Sequence, residues 1–67
     1  MDELDYKIAL EIIQLKIAKY IKEFSGKDKE KFIMELKQLI DEKEKIYDLN
    51  NEVINKVFKI YLPEIKK

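Results

Sequence analysis

Sixty-seven residues with no cysteine and no histidine exclude disulfides and a Cys/His zinc site, and remove the commonest general base. The 14 basic residues, all lysine, balance 14 acidic ones. The chain therefore lacks both the arginine fork for bidentate phosphate binding and the positive field of a nonspecific nucleic-acid binder.

At 46% hydrophobic and 42% charged, with Gly26 and Pro63 as the only breakers, residues 1–67 read as a single all-α domain. No run of 18 apolar residues suggests a membrane span. Met1, Asp2 and Glu3 form an acidic start, unlike the basic start of a signal peptide, so the expected location is the cytoplasm.

The first helix is expected over about residues 3–24. Asp2 is its candidate N-cap, and Met1 and Tyr6 a candidate hydrophobic staple. "FSGKD" ends it, with Gly26 free to take the left-handed backbone that closes helices. Tyr6, Leu10, Ile13, Ile17, Tyr20 and Phe24 alternate four and three apart, the rhythm of a helix–helix seam. Leu4, Ile8, Ile12 and Leu15 point roughly the opposite way. A helix apolar on opposed faces is expected to lie between two surfaces.

The second helix is expected over about residues 28–62. Phe32, Leu36, Leu39 and Ile46 supply its side of the seam, within the chain or across a dimer. Phe32, Leu39, Ile46, Val53 and Ile60 are seven apart, and so are Ile33, Ile40, Tyr47, Ile54 and Tyr61. This phase runs through Asp48–Asn51 and favours one unbroken helix. Against it, Asp48, Asn50 and Asn51 are poor helix formers, and Asn50 could cap a new helix.

The fold expected is therefore an antiparallel helical hairpin with a long second helix, self-associating into a bundle. The alternative is a three-helix bundle with a turn near Asp48–Asn51. An unbroken helix would leave Val53, Ile54, Val57, Phe58 and Tyr61 overhanging. Together with Leu4, Ile8, Ile12 and Leu15 they form the candidate oligomer interface. Lys43 and Asn50 fall in the apolar column and are candidate register residues. For Lys43 a snorkelling ammonium is the plainer reading; for Asn50 a register role and a helix cap stand level.

No catalytic, cofactor or metal residues are assigned. Asp41, Glu42 and Glu44 read as a solvated face with i,i+4 pairs such as Lys37–Asp41, Asp41–Lys45 and Glu52–Lys56. The four tyrosines are expected at the core edge with hydroxyls reaching water, and Met34 on the polar side. The expected function is a noncatalytic, self-associating interaction module, a dimer favoured, with a protein partner. The alternative is a dimeric nucleic-acid-binding regulator using a lysine face of Lys16, Lys19 and Lys22, with Lys66 and Lys67 in the tail. The absence of histidine, cysteine and arginine argues against an enzyme. The expected architecture resembles small RNA-binding hairpin dimers in fold alone, and no family is assigned.

Overall fold

The computed structural model describes residues 3–66. The expected N-cap Asp2 and its staple partner Met1 lie outside them, as does Lys67. The fold is all-α. Helix α1 spans Glu3–Lys22, α2 spans Lys29–Tyr47, and α3 spans Asn51–Lys56. Without a break, α3 continues through a π-helical turn, Val57–Tyr61, into a last α turn, α4, Leu62–Ile65. These three segments are together the third helix.

Helix α1 ends two residues before the expected Phe24. The amide of Glu23 bonds the Lys19 carbonyl at 3.0 Å, that of Phe24 bonds Ile21 at 3.2 Å, and Gly26 sits at φ 89. Asp28 then caps α2, its side chain accepting from the Lys31 amide at 3.3 Å. It does so at φ 50, a region that aspartate tolerates better than most residues. Stacked rings hold this end of the hairpin: Phe24 lies 3.9 Å and Tyr20 5.3 Å from Phe32, centroid to centroid. At the other end Tyr6 meets Tyr47 edge-on at 6.4 Å.

The long second helix does not form; the chain turns at Asp48–Asn50. The amide of Asn50 bonds the Lys45 carbonyl at 3.0 Å, and that of Leu49 bonds Ile46 at 2.9 Å. This pair of bonds is a Schellman motif, whose left-handed position usually holds glycine. Here it holds Leu49, at φ 60, at a cost of about 1–2 kcal/mol. Asn50 then starts the third helix, its side chain accepting from the Val53 amide at 3.1 Å. Asn50 is thus an exposed cap and not a buried register residue.

Packing outweighs the local cost. The third helix runs back antiparallel to α2 and buries Val53, Ile54, Val57 and Tyr61 against Ala9, Ile12 and Ile13 of α1 and Leu39 and Ile46 of α2. Full burial stabilises by about 1.5–3 kcal/mol per large aliphatic side chain. Ile54 and Val57 alone therefore exceed the strain at Leu49. The seven-residue beat survives the turn, but the folded chain does not need it to.

Pro63 explains the π turn. It has no amide hydrogen, and its ring crowds the carbonyl four residues back. The turn before it widens, and the Leu62 amide bonds Val57, five residues back. The radius of gyration is 12.3 Å, against about 11 Å for a compact chain of this length. The extents of 40 × 25 × 14 Å describe an elongated, flattened molecule.

Ile54→Ala should destabilise the fold by about 2–5 kcal/mol, whereas Ile60→Ala, on the outer face, should cost under about 1 kcal/mol. Urea unfolding followed by circular dichroism measures both; equal costs would contradict the fold-back.

Candidate functional site

Two features stand apart from the ordinary core. The first is a polar clasp between α2 and the third helix. Glu42 was expected in water beside Asp41 and Glu44, but it is buried. The third helix returns along the flank of α2 that carries it. Its carboxylate accepts from the Tyr61 hydroxyl and from the Lys56 ammonium, each at 2.6 Å. The π turn separates these two donors on the third helix. Lys56 therefore bonds Glu42 across the groove, where the sequence pointed to Glu52 one turn away. The Lys45–Asp41 pair does form, at 3.4 Å.

Two ammonium groups flank the Tyr61 ring, Lys16 at 5.6 Å and Lys56 at 5.4 Å from its centroid. Lys16 also pairs with Glu64, and the Lys19 ammonium donates to the Glu64 carbonyl at 3.2 Å. The Tyr20 hydroxyl donates to Glu35. Two of the four hydroxyls thus bond carboxylates, although all four had been expected to reach water. Two lysines of the supposed phosphate face are likewise engaged in closing the fold.

These environments shift the acid–base groups. The hydrogen bond to Glu35, then burial, pushes the Tyr20 phenol up to about 12. Burial, then the bond to Glu42, raises Tyr61 above its ordinary 10.0. The bond to Glu42, then the neighbouring Tyr61 hydroxyl, raises Lys56 above 10.5. The cleft above the clasp, lined by Lys16, Tyr20, Glu35, Gln38, Leu39, Glu42 and Tyr61, holds about 180 Å³. Ligand pockets usually run from about 300 Å³ upward, and every buried side-chain polar atom among the described residues has a partner. The clasp therefore reads as a structural lock. Among the described residues no three acidic side chains group to hold a metal ion.

The second feature is an uncovered apolar face. The third helix fills one groove of the α1–α2 hairpin. On the opposite side Ile33 (40%), Ile40 (44%) and Tyr47 (51%) of α2 and Ile21 (50%) of α1 remain exposed. Leu10 and Ile17 of α1 and Leu36 and Lys43 of α2 are half-buried. By helical phase all of these lie on or beside this face.

Most of the candidate oligomer interface is used within the chain itself. Ile12, Val53, Ile54, Val57 and Tyr61 are buried, and Ile8 and Phe58 pack partly buried against them. Leu4 and Leu15 stay exposed, as does Met34. Of the seam, Ile13, Leu39 and Ile46 reach the core. Tyr6, Leu10, Ile17, Tyr20, Phe24, Phe32 and Leu36 stop half-buried at its edge. The apolar α2 column of Ile33, Ile40 and Tyr47 was legible as a heptad column; its exposure was not. No described helix is long and apolar enough to cross a membrane. Compared with known protein families, curated proteins and solved structures, the chain matches none.

The clasp and the Tyr20–Glu35 bond make stability fall at alkaline pH. The folded pKa values of Tyr61, Lys56 and Tyr20 all lie above their unfolded ones. Their contribution is complete below about pH 10 and is lost as pH rises through the folded values. Melting temperature should hold near neutral pH and drop above about pH 10, with a shallower drop in Tyr61→Phe. That variant should also lose about 1–3 kcal/mol at pH 7, since Glu42 keeps its burial and loses a donor. Thermal melts across pH, with tyrosinate absorbance, read both.

Proposed function

We propose that the chain is a small noncatalytic module acting through protein–protein contact, and that its partner at the α1–α2 face is a second copy of itself. The uncovered strip Ile33–Ile40–Tyr47, with Ile21 across the groove, carries this reading. A folded monomer of 8.1 kDa exposes about 4,500 Å²; this chain exposes 5107 Å². The excess, about 600 Å², belongs to an elongated molecule that leaves large apolar side chains in water.

The strip also suits its own copy. Lys37 lies three residues before Ile40 and Glu44 four residues after it. Two antiparallel α2 helices crossing near Ile40 bring Ile33 towards Tyr47 of the second copy, and Lys37 towards Glu44 of the second copy. Such an interface is self-complementary in shape and charge, as a twofold dimer requires. Against a nucleic-acid role, Lys16, Lys19 and Lys56 are held by Glu64 and Glu42. Against an enzyme, the Glu42 clasp is closed on itself and lies over a cleft of about 180 Å³, below ligand size.

Light scattering at micromolar concentration should return twice the chain mass of 8.1 kDa. Ile40→Lys, at the centre of the strip, should weaken association at least about 100-fold and leave helicity unchanged. A wild-type monomer at every concentration, or a dimer indifferent to Ile40→Lys, would remove the support for this face.

A further inference from the structure

We infer that α2 and the third helix can fuse into one continuous helix, and that two chains then exchange their third helices. The first observation is the joint. Only Asp48, Leu49 and Asn50 separate the two helices, and Leu49 holds the left-handed backbone at φ 60 that glycine would hold freely. A short, strained hinge favours exchange, because straightening it releases the strain.

The second observation is phase. In a straight helix Val53, Ile54, Val57 and Tyr61 fall in one stripe, about 100° wide, with Leu39 and Ile46. These six residues form the α2 and third-helix side of the present core. A turn does not require that agreement; a continuous helix does.

The third is topology. The third helix lies antiparallel to its own α2. Two straightened chains related by a twofold axis at the hinge therefore place each third helix in the same groove on the other copy. The Glu42–Lys56 and Glu42–Tyr61 bonds are then remade between copies. The occupant of each groove is a second copy of this chain. The inference is independent of the exposed α1–α2 face, which the exchange itself neither covers nor uses.

Leu49→Gly relieves the strain in the closed form. It should weaken exchange-dependent dimerisation roughly 100-fold, about tenfold per hinge with two hinges per dimer. Asp48→Ala with Asn50→Ala removes the cap, favours helix through the joint, and should strengthen dimerisation at least about tenfold. Spin labels at Lys37 and Lys59, in dimers diluted with unlabelled chain, should lie about 33 Å apart, from 22 steps of helical rise. A much shorter distance within the dimer overturns the exchange. So does a helical, monomeric Asp48→Ala/Asn50→Ala chain. A dimer abolished by Ile40→Lys but indifferent to Leu49→Gly overturns the exchange and upholds the exposed face. The reverse pattern upholds the exchange and defeats the face.

Discussion

Leucine tolerates the left-handed backbone poorly, yet the return of the third helix hangs on Leu49 at φ 60. A straight chain there would carry Val53, Ile54, Val57 and Tyr61 past the end of α1, into water or onto another molecule. The turned chain sets them on Ala9, Ile12 and Ile13. One strained residue costs about 1–2 kcal/mol; each buried aliphatic side chain returns as much or more. The Schellman bonds and the Asn50 cap leave few helix-end groups unsatisfied, so the joint adds little further cost.

The clasp at Glu42 follows from that return. A carboxylate taken out of water must be paired, and Lys56 and Tyr61 do so from one helix across the groove. Replacing such a pair by packed apolar groups often costs nothing, so its value lies in alignment as much as in stability. Slipping the third helix by one residue would leave Glu42 buried and unsatisfied. Pro63 has a part in this: the π turn it provokes helps set where Tyr61 stands relative to Lys56.

Three helices of 20, 19 and about 15 residues cannot close every groove. The third helix covers one side of the α1–α2 hairpin, and the opposite side keeps Ile21, Ile33, Ile40 and Tyr47 in water. A surface this apolar on so small a chain supports contact as its mode of action more than any chemistry at the clasp does.

The helical class, the hairpin closed at Gly26 and the core positions of Ile13, Leu39 and Ile46 were legible in composition and in three–four spacing. Those signals come from neighbours within one helix, and local physics determines them. The sequence by itself also made the joint ambiguous, because Asp48, Asn50 and Asn51 oppose the heptad phase by amounts near 1 kcal/mol. Only the tertiary structure decided that Asn50 caps and that Glu42 is buried. It likewise decided which face of α2 is left open. Each depends on where the third helix lies, and that is settled by long-range burial worth more than any local preference at the turn.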